Sequence, residues 1–199
     1  MIPVFNDGVR FDCTPCGRCC ASLKFPIPLF VRDVRTISRY LGLSVERFLD
    51  GYCVHLVDVV QTPDGSVEIP SIALRVPDSG RCVFLDDANR CRIHAAKPFV
   101  CAQSPFLRIV AEDESLWREG ASYCPGVGVG PRFSRSAILS LLQEEDAREE
   151  EDLELIRANG GDLEAVLQAR LPQPVIRQQR LSPAAPVKKR RSRDVSRAQ

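Results

Sequence analysis

Apolar residues change their spacing several times along the chain, and each change marks an element. Val34, Ile37 and Leu41 recur at helical intervals behind Asp33, which predicts a helix with Asp33 as its N-cap and Gly42 as its stop. Ser44 stands ready to cap a second short helix carrying Phe48 and Leu49. Upstream, the prolines of Phe25-Pro26-Ile27-Pro28-Leu29-Phe30 exclude helix and favour an extended segment. Cys53 to Gln61 and Ser66 to Val76 are rich in β-branched residues and flank Thr62-Pro63-Asp64-Gly65. Proline presets φ there and glycine accepts positive φ, so a β-hairpin is predicted. Cys82 to Leu85 reads as another short strand, and Asp86 to Asn89 as the turn that returns Cys91 toward Cys82. The glycines of Gly126-Val127-Gly128-Val129-Gly130-Pro131 read as a loop.

Ser134 opens a long helical pattern with Ile138, Leu141 and Leu142 near its start and Leu153, Leu155 and Ile156 near its end. Its middle, Glu144 to Asp152, is almost all charge and reads as a solvated helical face. Gly160 and Gly161 end it, Asp162 can cap a last helix through Leu171, and Pro172 closes the folded part. The fold class expected is α+β: a small cysteine-rich metal-binding domain with short helices and β-hairpins over 1–131, a helical C-terminal extension over 132–171, and a basic disordered tail over 172–199.

With 199 residues, 44% of them hydrophobic, the chain can bury one substantial core. Charge is unevenly divided. Residues 172–199 hold eight Lys or Arg against Asp194 alone, a net +7, so with +1 for the whole chain the remainder carries −6. A weak, sequence-independent contact with nucleic acid through this tail is one partner expectation, since cationic residues release counterions but no aromatics are interleaved for stacking. No run approaches the roughly 18 apolar residues of a membrane span, so no membrane partner is expected. The first ten residues lack a basic region followed by an apolar stretch, and a reducing cytoplasmic location is expected.

Location bears on the cysteines. Cys13, Cys16, Cys19 and Cys20 crowd into eight residues, and Cys82, Cys91, Cys101 and Cys124 follow. An even set of thiols can form a disulfide framework, but structural disulfides are rare in a reducing compartment. Soft thiolates on tight loops instead select zinc, cuprous copper or iron–sulfur clusters. Cys13, Cys16 and Cys19 have the close spacing of three ligands of an iron–sulfur cubane, with Cys124-Pro125 as a distant fourth, and a four-thiolate zinc site stays open. Cys19 and Cys20 are adjacent and diverge by about 100° on a helix, which suits two neighbouring centres or one bridging ligand. Cys53 has no partner at ligand spacing and is assigned to the core, as a strand-borne His55 is assigned a structural role. His94 can be a ligand, a hydrogen-bond partner of a thiolate, or a loop histidine.

These residues carry a resemblance. Phe11-x-Cys13-x-x-Cys16-Gly17-x-Cys19-Cys20, Gly80-x-Cys82-x-Phe84-Leu85, Cys91-x-Ile93-His94, Lys97-Pro98-x-x-Cys101 and Cys124-Pro125-Gly126 together resemble the YkgJ-like cysteine-cluster family, a CxxCxxCC zinc- or iron-chelating domain. The resemblance covers about residues 8–130. It implies a small cytoplasmic metal-binding domain, sometimes labelled an iron–sulfur oxidoreductase and related to a domain of flagellin lysine methylases. His94 stands where tyrosine is frequent in the family and Lys97 where arginine is.

Three functions follow as expectations: a metalloprotein whose cofactor is an iron–sulfur cluster or zinc, with redox use and a redox or protein partner; a protein-modifying enzyme of the methylase kind; or a structural zinc module serving as a binding platform. No Ser-His-Asp arrangement, phosphate-binding glycine loop or HExxH motif points to a hydrolase or nucleotide enzyme.

Overall fold

The computed structural model describes residues 1–62 and 65–168, with the side chains of 60–62 left aside. Two small antiparallel sheets and nine α-helices make up this part, an α+β fold. The chain begins with helix α1 (Pro3–Asp7), whose proline sits at the helix start, and strand β1 (Val9–Phe11). Neither is marked in the sequence by periodicity, because each is shorter than the windows that periodicity needs. Helix α2 (Arg18–Ala21) lies inside the first cysteine loop, and β2 (Ile27–Leu29) occupies the extended proline segment.

Helix α3 (Val31–Leu41) stops at Gly42, whose φ of +67° terminates it as the sequence suggests. Its start differs from expectation. Phe30 is the N-cap, and Asp33 lies three residues further on, its Oδ2 accepting from Phe30 N at 3.1 Å. Val31 is itself buried and packs as part of the helix, so the apolar stripe begins earlier than the spacing from Val34 implies. Helix α4 (Val45–Tyr52) starts where Ser44 Oγ accepts from Arg47 N at 3.2 Å. The hairpin forms as β3 (Cys53–Thr62) and β4 (Gly65–Leu74), in register from Cys53↔Leu74 to Thr62↔Gly65, and β2 adds to its other side to give the order β2-β4-β3. The Pro63-Asp64 turn lies outside the described residues.

Cys82 to Leu85 is a turn rather than a strand. Leu85 N donates to Cys82 O at 3.0 Å, and a lone antiparallel bridge joins Leu85 to Cys91. Four residues held by a turn bond have no room for a ladder. Helices α5 (Phe99–Gln103), α6 (Arg108–Glu112) and α7 (Glu114–Tyr123) follow. The glycine segment read as a loop is strand β5 (Val127–Phe133), paired antiparallel with β1 through Val9↔Phe133 and Phe11↔Val127, with a bulge between Arg10 and Phe11. Gly128 and Gly130 have φ of +86° and +74°, which composition alone marks as a turn. Helix α8 (Arg135–Ala158) and helix α9 (Leu163–Gln168) complete the described part. Ser134 caps α8 by accepting from Ala137 N, and Asp162 Oδ1 accepts from Ala165 N at 2.9 Å. The expected end of α9 at Leu171 and the expected disordered tail 172–199 lie outside the described residues.

Ile138 and Leu142 of α8 join Ile2, Phe5, Val9, Phe106, Ala111 and Trp117 in one buried cluster. Phe5 meets the Trp117 ring edge-on at 5.1 Å, and Phe106 lies 4.7 Å from Phe133. Val34 and Ile37 of α3, Phe48 of α4 and Ile72 and Leu74 of β4 are buried as well. The acidic run of α8 is for the most part solvated, as read from sequence, but Glu145 is only 7% exposed. It faces inward on the stripe begun by Ile138 and Leu142, where Glu145 Oε2 accepts from Arg108 N at 2.8 Å and from Gln103 Nε2 at 3.3 Å. No helix among the described residues is long and apolar enough to cross a membrane.

Candidate metal centre

Three stretches of backbone are stitched around the first cysteine loop. Cys82 N donates to Cys20 O at 2.8 Å, and Leu23 N donates to Gly80 O at 2.7 Å, which tie the loop to the segment carrying Cys82. Gly17 presses on the turn before Cys91: a Cβ there would lie 2.3 Å from the Asn89 carbonyl oxygen, and its φ is +69°. On the other side, Asp12 N donates to Gly126 O at 3.1 Å and Arg18 Nη1 to Tyr123 O at 3.1 Å, which ties the loop to the segment carrying Cys124. Helix α5 presents Cys101, and its start is fixed by Asp33, whose Oδ1 accepts from Phe99 N at 3.1 Å. Asp33 thus joins α3 to α5 through two backbone amides while being only 7% exposed.

All nine cysteines are free thiols. Cys19 and Cys20 have their sulfurs 3.8 Å apart on the short helix α2, despite the divergence expected of adjacent residues. The contact between the two thiols, with backbone donors, lowers the Cys19 pKa to about 6; the same contact, then burial, raises that of Cys20. Burial is the main cause raising Cys13, Cys82 and Cys91, and it pushes Cys101 up to about 12. Neighbouring thiolates add to these rises. Charge on Cys16, Cys19 and Cys124 is felt at Cys13; charge on Cys19, Cys82 and Cys101 is felt at Cys20; charge on Cys19, Cys82 and Cys91 is felt at Cys101. Lys97 opposes the rise at Cys13 and Cys91.

Cys53 sits at the base of the hairpin, 4% exposed, its pKa pushed by burial up to about 12. Among the described residues, no three His, Cys, Asp or Glu side chains are gathered tightly enough to hold one ion. The clustered cysteines lie on loops, turns and short helices. The donor set is all thiol, soft in character, and so fits zinc or iron rather than calcium or magnesium. His94 is exposed in a 3-10 turn (His94–Ala96), and His55 is exposed on edge strand β3. Sequence reading overlooked Asp33 as the residue that orients α5; its position three residues after an N-cap was the available signal.

A family model with the signature CxxCxxCC, described as "Putative zinc- or iron-chelating domain", matches residues 12–125. An uncharacterized protein of Methanocaldococcus jannaschii is 24% identical over 140 residues, which cover 64% of this chain and 63% of the relative. The chain therefore spans under two thirds of that relative's length. No solved structure matches.

Proposed function

The chain belongs to the CxxCxxCC zinc- or iron-chelating family, and from that premise we propose that it holds zinc or iron through Cys13, Cys16, Cys19, Cys20, Cys82, Cys91, Cys101 and Cys124. The observation that supports this is that hydrogen bonds tie the first cysteine loop both to the segment carrying Cys82 and to the segment carrying Cys124. When bound as iron–sulfur, the metal would supply one-electron redox chemistry; when bound as zinc, a structural clamp. The residues' own part is to converge, release their protons and exclude competing hard cations.

Cys13, Cys16, Cys19 and Cys124 have cubane spacing, and the Asp12 N to Gly126 O bond draws the segments that carry Cys13 and Cys124 together, which favours iron–sulfur with an electron-transfer role and a protein redox partner. Anaerobic purification followed by metal analysis with optical and Mössbauer spectra tests this reading. Stoichiometric iron with sulfide and a brown colour is the expected result. A colourless protein with stoichiometric zinc would replace the redox role by a structural one, and a fully reduced chain that takes up neither metal would overturn the proposal.

A further inference from the structure

A cavity of about 380 Å³ lies between the β3–β4 hairpin and α8, with β2, the start of α3 and α9 supplying its other walls. No cysteine lines it. The walls are mostly apolar: Leu29, Val34, Ile72 and Leu167 are buried there, and Val100 of α5 is half-buried. Four carboxylates interrupt them, Asp58 from β3 and Glu145, Glu149 and Asp152 from α8, while no Lys, Arg or His lines the cavity. The three acids of α8 recur at four- and three-residue spacing, so they continue the stripe of Ile138 and Leu142 before it turns apolar again at Leu153 and Ile156.

The carboxylates are not equivalent. Glu145 accepts from Arg108 N and Gln103 Nε2, and Asp152 accepts from Val31 N. Asp58 and Glu149 make no side-chain hydrogen bond or ion pair among the described residues. The arginines that act on the acids of α8 are engaged elsewhere: Arg32 pairs with Glu151 at 2.7 Å, Arg108 pairs with Asp146, and Arg35 donates to Val166 O at 2.7 Å. Burial raises the Glu149 carboxyl above its ordinary range, with Asp146 and Asp58 adding to the rise and Arg108 opposing it. Anions set among apolar walls without a counter-charge are costly to hold, and a cation that brings its own apolar body offsets that cost. We propose that the cavity binds a small aliphatic amine, with its ammonium between Asp58 and Glu149 and its alkyl chain against the apolar walls. The volume is that of a small-molecule site, and an ammonium offers three N–H donors to carboxylates arriving from two elements.

Calorimetric titration of the full-length protein with hexylamine at pH 7.5 tests this, with hexanol and hexanoate as probes of the same chain length that lack the positive charge. Hexylamine is expected to bind one-to-one and at least about tenfold more tightly than either. Asp58 and Glu149 are both exposed, so Asp58→Asn and Glu149→Gln are expected to leave the melting temperature unchanged while weakening hexylamine, the double variant by about tenfold or more. Glu150→Gln, on the same helix outside the cavity, is expected to leave the affinity as it is. Hexylamine that fails to saturate by about 10 mM, that binds no better than hexanol or hexanoate, or that is weakened equally by Glu150→Gln overturns the proposal. A lysine capped at both backbone ends that binds more tightly than hexylamine would overturn the free amine as the ligand and assign the cavity to a protein side chain.

Discussion

Gly17 meets two constraints at once, a left-handed backbone and the Asn89 carbonyl 2.3 Å from where a Cβ would stand. Gly17→Ala is expected to cost more than about 2 kcal/mol, because the left-handed conformation alone costs about 1–2 kcal/mol for an L-residue and the turn before Cys91 must also retreat. Chemical denaturation of the metal-free protein measures that cost, and a loss under 0.5 kcal/mol (roughly the level of a neutral surface change) would contradict it. Cys16→Ser and Cys53→Ser separate two kinds of cysteine. The first is expected to lower metal content and to remove binding energy that can reach about 10 kcal/mol in structural thiolate sites, the second to cost roughly 1–3 kcal/mol through packing at unchanged metal content. Equal metal content in both variants would refute the distinction. The isolation of Cys53 was legible from its apolar strand context, and its burial agrees. The burial of Glu145 was obscured by the acids around it, although its place four and seven residues from Leu141 and Ile138 carried the signal.

Helices α3 and α5 share a fastening in Asp33, and so the element that presents Cys101 depends on a carboxylate 68 positions earlier in the chain. Asp33→Ala is expected to cost about 3 kcal/mol, since two backbone amides lose a charged acceptor, and Asp33→Asn to recover part of it. Thermal melts of the three proteins in one metal state check the ranking. A different carboxylate sets a pH dependence. Asp152, which accepts from Val31 N at 2.8 Å, is raised to about 6 by burial, with Glu151 and Asp33 adding and Arg32 opposing. A carboxyl raised in the folded state binds its proton more tightly there than in the unfolded chain. Its protonation supports the fold below about pH 4, and that support is lost as pH rises through about 6. Asp152→Asn is therefore expected to stabilise the metal-free protein by about 1 kcal/mol at pH 7.5, after allowance for partial solvent screening, and to change little at pH 4.5. A gain of equal size at both values would exclude ionisation as the cause. The hairpin and the helices with spaced apolar stripes were legible in the sequence. Strand β5 was not, because its pairing is made by backbone at Gly128 and Gly130, and alternating side chains play no part in it.

At the scale of the whole molecule, the cysteine positions were legible while the ties between the segments that carry them were not: spacing reports neighbours along the chain, and the ties from Asp12 to Gly126 and from Cys20 to Cys82 span distances that only the fold closes. Removing residues 172–199 deletes a net +7 and no cysteine or histidine. Metal stoichiometry and melting temperature are expected to be unchanged, while affinity for a polyanion such as heparin falls, and a large drop in melting temperature would show that this segment supports the domain. The pairing of β1 with β5 joins residues 9–11 to 127–133 and encloses the sequence between them. During synthesis that enclosure has a time order. At 5–20 residues per second, Cys13, Cys16 and Cys19 emerge roughly 5–20 s before Cys124 and the strand that seats it. For that interval the thiols of the first loop stand without Cys124 and strand β1 without its partner β5, until about two thirds of the polypeptide has been made.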